Sequence, residues 1–220
     1  MLYLEKIPAA VRPAFAQAVT AMSQRLRVHP DWLMTVFYRE SKLNPAAVNA
    51  WNAAGLIQIT PTTARDIDTT TAQILNASYV GQLVYVERYY AMRIRQHGLP
   101  KSVYDLYLLT FYPPAMGTPD NHILFKSGNI AYERNKGLDN FPSSSKKGYI
   151  ATRDIKAFVN AAIPKNYTPS TLPSGTSSGK SQDWLMIGSV LLLAAGIWLQ
   201  KSSVFHPKEP SYQTNENVNA

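Results

Sequence analysis

Apolar residues recur every third or fourth position through most of the first 163 residues, the spacing that lines one face of a helix. Over residues 9–27 they are Val11, Phe15, Val19, Met22 and Leu26, which predict an amphipathic helix packed beneath its successor. That successor has a marked start. His29 precedes Pro30, whose missing N–H costs nothing in a first turn, and Asp31 places negative charge where the helix dipole favours it. Leu33, Val36 and Phe37 share its buried stripe, and Pro45 is expected to stop it. Thr60 followed by Pro61 opens another helix. One long helix is predicted over residues 71–97 through Ile74, Leu75, Tyr79, Leu83, Val86, Tyr90 and Ile94, closed by Gly98 and Pro100. Ser102 and Asp105 have capping-box spacing and introduce Leu106, Leu108 and Leu109. Residues 117–126 read as polar loop, 130–135 as a short helix and 152–162 as a last one. With no strand predicted, the fold class is all-α, a helical domain over residues 1–163.

Past Ile163 the pattern changes. Residues 164–183 are rich in Pro, Ser, Thr and Gly, the composition of a flexible linker. Residues 184–199 then run without a charge and carry Trp184 and Trp198 toward the two ends. A membrane span needs roughly 17 to 25 residues, and tryptophans suit membrane interfaces, so 184–200 is read as one transmembrane helix. The remainder, 201–220, is a polar tail.

One polar residue interrupts the apolar stripe of the second helix. Glu40 stands one turn beyond Val36 and two beyond Leu33, so the spacing puts a carboxyl on the buried side. Desolvation disfavours the charged form, and such a carboxyl keeps its proton near neutrality, the condition for a general acid. The competing reading is a helix-end glutamate paired with Arg39 or Lys42 at the surface.

Glu40-Ser41, followed by Asn44-Pro45, and Gly55-Leu56-Ile57-Gln58-Ile59, followed by Pro61, Thr63 and Ala64, form two linked motifs. Together they resemble the lysozyme-like, soluble lytic transglycosylase family of peptidoglycan-cleaving enzymes, with Ile57 in place of a frequent methionine. The resemblance implies a lysozyme-like helical domain in which Glu40 is the sole catalytic carboxylate. It implies protonation of the glycosidic oxygen between N-acetylmuramic acid and N-acetylglucosamine by Glu40, which then acts as base while the muramyl 6-hydroxyl closes a 1,6-anhydro ring. Water is not consumed, and no cofactor is expected. Ser41, Gly55, Ile57 and Gln58 are implied on the substrate side, with the Gln58 amide offered to substrate or backbone. Tyr112 matches the tyrosine of the family's Ala-Tyr-Asn-Ala-Gly signature, although Pro113 replaces the asparagine. Tyr132 is a further cleft candidate, with core packing as the alternative. Trp51 is read either as core or as a wall for sugar stacking.

No second carboxylate lies in either motif; Asp66, Asp68, Glu87 and Asp105 are candidates by elimination only. A two-carboxylate glycosidase is therefore unsupported, whereas one acid suffices where the substrate supplies its own nucleophile. The absence of cysteine excludes disulfides and thiolate chemistry, and the four histidines show no ligand spacing, so no metal site is expected. Residues 143–154 have an EF-hand-like frame, with Gly148, Ile150 and Asp154 at its sixth, eighth and twelfth positions. Ser143, Ser145 and Lys147 stand where carboxylates belong, giving a calcium-loop shape without the metal.

A net charge of +8 favours anionic partners, among them the cell-wall polymer, headgroups or nucleic acid. The expected partners are the peptidoglycan glycan strand, a membrane through residues 184–200 and virion proteins, with nucleic acid unsupported. The first eight residues lack the apolar core of a signal peptide. The expected setting is a single-pass anchor in the internal membrane of a phage particle, for local wall opening during entry, or alternatively in a bacterial inner membrane. The rival readings are a lysozyme-type hydrolase and a non-catalytic, membrane-anchored structural or wall-binding protein.

Overall fold

Phe15, Val19, Met22 and Leu26, the stripe of the first helix, are all buried, and they anchor α1 (Arg12–Leu26) on the core. Helix α2 (Pro30–Ser41) follows, its start capped by the His29 imidazole, whose Nδ1 accepts the Asp31 N–H at 3.2 Å. In this computed structural model, which describes residues 1–167, the remaining helices are α3 (Pro61–Asp66), α4 (Thr71–Asn76), α5 (Tyr79–His97), α6 (Val103–Phe111), α7 (Ile130–Asn135) and α8 (Thr152–Asn160). Helix α2 is the axis: Asp31 through Phe37 are all buried, and α1, α6 and α8 pack around it while α5 lies against α1 and α6.

The structure corrects the sequence reading in three places. Pro45 does not end α2. Lys42 and Leu43 turn left-handed at φ 55° and 64°, and their N–H groups donate back to Tyr38 O and Phe37 O at 3.1 and 3.3 Å, a closing turn that satisfies the last carbonyls. The helix predicted over 71–97 is two helices. Ala77 and Ser78 are extended, and Ser78 Oγ accepts the Gly81 N–H at 3.1 Å to start α5 afresh.

The third correction is local and leaves the helical class standing: a pair of short strands forms where none was predicted. Strands β1 (Ile123–Lys126) and β2 (Tyr149–Ala151) pair antiparallel, with Phe125 opposite Ile150 and Lys126 opposite Tyr149. The cause is a short run of β-forming residues, Ile123-Leu124-Phe125, whose ring at Phe125 packs on Phe111 and Tyr112. The domain is mainly helical, with this small ribbon at one side.

The residues framed like a calcium loop close around their own cation. Lys147 Nζ lies 2.7 and 2.8 Å from the two carboxylate oxygens of Asp154. Beside it the fully buried Asp139 accepts the Tyr132 hydroxyl at 2.8 Å and the N–H groups of Lys147 and Gly148 at 3.0 and 2.9 Å. At the far end of α2, buried Asp31 accepts the Leu2 N–H at 2.6 Å on one oxygen and the Tyr167 hydroxyl on the other. The two margins of the described chain therefore meet on the first turn of that helix. Among the described residues no helix is long and apolar enough to cross a membrane. The span expected at 184–200, the tail, and the linker beyond Tyr167 lie outside the described residues.

Candidate active site

Helix α2 delivers Glu40 in its final turn, and the residues that follow fix the surface in front of it. Ser41 is buried, with Oγ 3.1 Å from Phe37 O and 3.0 Å from Leu56 O, so it ties the helix end to the Gly55–Gln58 turn. Gly55 has φ +76°, and a Cβ there would stand 2.6 Å from Gln82 Oε1 and 2.8 Å from Ile74 Cγ2. No other residue type fits without displacing both neighbours. Leu56, Ile57 and Ile59 are core residues. Gln58, left-handed at φ 52°, folds its amide back to donate to Ala47 O and Gly55 O at 3.1 and 3.0 Å. Of the two roles read for that amide, the structure places it on the backbone.

The fastener of this loop is Gln82, in α5, which the sequence reading missed. It is 1 % exposed, its Oε1 accepts the Leu56 N–H at 3.0 Å, and its Nε2 donates to Pro45 O and Ile74 O at 2.7 and 2.9 Å. Both ends of the amide thus have partners, as its burial requires. A glutamine on the inward stripe of an amphipathic helix, between Tyr79 and Val86, was the signal available in the sequence.

Glu40 itself is half-buried, since one edge of the side chain faces a cavity of about 380 Å³. Its carboxyl is hemmed in by protein, and that burial pushes its pKa from 4.5 up to about 7, against the opposing pull of the neighbouring Tyr107 hydroxyl and of the Arg39 charge. Burial, reinforced by the neighbouring Glu40 carboxyl, holds the Tyr107 hydroxyl well above the usual phenol range. Neither Arg39 nor Lys42 forms an ion pair with Glu40. The Arg39 guanidinium stacks 3.3 Å from the Phe158 ring centre, with Nε and Nη2 buried and unpartnered, and Lys42 Nζ lies over Tyr38 at 4.3 Å. Desolvation accordingly lowers the Arg39 pKa.

The cavity walls are largely aromatic, Tyr107, Phe111, Phe141 and Phe158, with Arg134, Asn135, Gly137 and Leu138 completing the lining beside Glu40. Glu40 is the one carboxylate among the lining residues. Of the acids considered by elimination, Glu87 is paired with Arg25 at 2.6 and 2.7 Å, Asp105 accepts the Lys101 N–H at 2.9 Å, and Asp66 and Asp68 line a separate recess of about 260 Å³. The described residues contain no cluster of three His, Asp or Glu side chains arranged to hold a metal ion.

Tyr112 does not line the cavity. It ends α6 and packs on Phe125 with ring centres 5.0 Å apart, while Tyr107, one turn and a half earlier, faces Glu40. Tyr132 is buried, its hydroxyl committed to Asp139. Trp51 is not core: it is 59 % exposed, with the Arg134 guanidinium 4.0 Å from its ring centre. Chemically, the site offers one proton held near neutrality in an apolar, aromatic cleft, able to give that proton and take one back.

Residues 17–79 match the family model of the transglycosylase SLT domain, a stretch running from within α1 to the first residue of α5 and carrying Glu40, Ser41, Gly55 and Gln58. No curated protein and no solved structure matches the chain. The family match supports a lytic transglycosylase, an enzyme whose substrate is peptidoglycan.

Proposed function

We propose that Glu40 cleaves the β-1,4 bond between N-acetylmuramic acid and N-acetylglucosamine without consuming water. The single observation that carries this reading is a lone, desolvated carboxyl at the wall of an aromatic cavity large enough for a sugar ring, where burial raises its pKa. Protonated Glu40 gives its proton to the glycosidic oxygen as the bond from that oxygen to the muramyl C1 breaks. The resulting carboxylate, supported by the Tyr107 hydroxyl, removes the proton of the muramyl 6-hydroxyl, whose oxygen bonds to C1. One proton enters and one leaves, and the products are a free N-acetylglucosamine 4-hydroxyl and a 1,6-anhydro muramyl end. With no second carboxylate in the lining to activate water, the ring closure within the substrate is favoured over hydrolysis.

Digestion of purified sacculi, with products weighed by mass spectrometry, tests it. Anhydro ends, lighter by one water than reducing ends, are expected from the wild type and absent with Glu40→Gln. Reducing ends would identify a hydrolase, and undiminished cleavage by the variant would remove Glu40 from the chemistry. The uncharged run at 184–199, together with a wall substrate, supports a membrane-anchored enzyme that opens the wall locally, on the internal membrane of a phage particle or else on a bacterial inner membrane. Detection of the protein by antibody in purified particles distinguishes the two.

A further inference from the structure

Trp51 is the one aromatic among the large apolar side chains left exposed in the described residues. Its ring is exposed, yet the loop beneath it is held in place: Asn49 Oδ1 accepts the N–H groups of Trp51 and Ala53 at 2.8 and 3.1 Å, and Asn52 N–H donates to Asn49 O at 3.0 Å. A flat aromatic face held on a hydrogen-bonded loop suits the C–H face of a sugar ring. Arg134 lies over this ring at 4.0 Å and also lines the Glu40 cavity, so the indole and the acid flank one continuous rim. Arg134 is exposed and has no carboxylate or hydrogen-bond partner among the described residues; the ring alone orients it. Ile130, one turn earlier on α7, and Val48, in the Trp51 loop, are exposed as well.

A pyranose stacks its C–H face on the indole face that Arg134 leaves open, and the guanidinium on the same ring, its N–H groups without partners among the described residues, binds a planar carboxylate in a fork. Only one of the two sugars in the proposed substrate carries carboxylates, the muramyl residue, through its lactyl group or the peptide attached there. We infer that Trp51 and Arg134 form a subsite that selects carboxylate-bearing muramyl glycans over uncharged N-acetylglucosamine polymers. This rests on the proposed glycan-cleaving role, and it assigns to these two residues the choice of sugar and none of the bond chemistry.

The test uses the full chain carrying Glu40→Gln, so that binding is read without turnover. Tryptophan emission is titrated with N-acetylglucosamine tetramer and, separately, with a tetrasaccharide of alternating N-acetylglucosamine and N-acetylmuramic acid bearing free lactyl carboxylates. The muramyl glycan should bind about 10- to 100-fold more tightly, the range of a charge-assisted contact. Adding Arg134→Gln should erase that preference, and Arg134→Lys should restore part of it. Trp51→Phe should abolish the emission change, whereas Trp51→Ala, read by calorimetry, should weaken both glycans about tenfold. Equal affinity for the two glycans, or a preference that survives Arg134→Gln, would overturn the inference. Sacculus digestion by the unmodified protein separates the two claims: cleavage without discrimination sinks the subsite alone, and discrimination without cleavage sinks the chemistry of Glu40 alone.

Discussion

Replacing Glu40 by glutamine should stabilise the domain in alkali and leave it unchanged in acid. Burial raises the carboxyl's pKa from 4.5 to about 7 in the folded protein, whereas an unfolded chain ionises at the ordinary value. Because the folded pKa is the higher one, the stability linked to this proton is fully present below about pH 4.5 and is lost as pH rises through about 7. At about 1.36 kcal/mol per unit, the loss approaches about 3 kcal/mol above pH 8. Glutamine has the shape of the protonated acid and no charge to desolvate. Thermal melts followed by circular dichroism should therefore superimpose near pH 4.5 and separate by about 6 to 12 °C near pH 8.5, at the 2 to 4 °C per kcal/mol usual for a domain of this size. Wild-type wall digestion should fall over the same upper interval as the acid ionises. Melting curves that stay parallel from pH 4.5 to 8.5 would mean that the carboxyl is not desolvated, and the case for a neutral proton donor would fail.

Other perturbations probe the supports of the site. Tyr107→Phe removes the neighbouring hydroxyl whose pull favours the carboxylate, so the alkaline limb of the pH–rate profile should move upward while turnover drops about tenfold; an unmoved limb would detach Tyr107 from Glu40. Gly55→Ala forces a Cβ into Gln82 and Ile74 at a positive φ, which should cost about 2 to 3 kcal/mol in urea denaturation. Lys147→Met strands Asp154, whose side chain is 4 % exposed, and should cost about 3 kcal/mol, much of it recovered in the double variant with Asp154→Asn. A single-variant loss as small as an exposed ion pair's would show that the pair does not hold that loop.

What could be read in the chain was local. Helix starts at Pro30, Pro61 and Ser102 are written in a cap and the residues after it, and Glu40 on an apolar stripe announces a buried acid without any partner being known. What failed depended on contacts far apart in sequence. Tyr107 and Tyr112 are both tyrosines near one helix end; only the packing of α6 on α2 shows that the earlier one meets Glu40. The break at Ala77 and Ser78 was available as a serine cap, but the apolar period ran on past it. Strand β1 gains its partner from residues over twenty positions away, and a three-residue apolar run has no period of its own. Trp51 could not be placed in or out of the core because its one close neighbour across the rim, Arg134 of α7, lies far along the chain.

Asp31 and Glu40 occupy opposite ends of one rigid rod about 18 Å long, the rise of a helix of this length. The hydroxyl of Tyr167 grips the Asp31 end. The last described residue is therefore fastened, 136 positions along the chain, to the foot of the helix whose tip holds the proton.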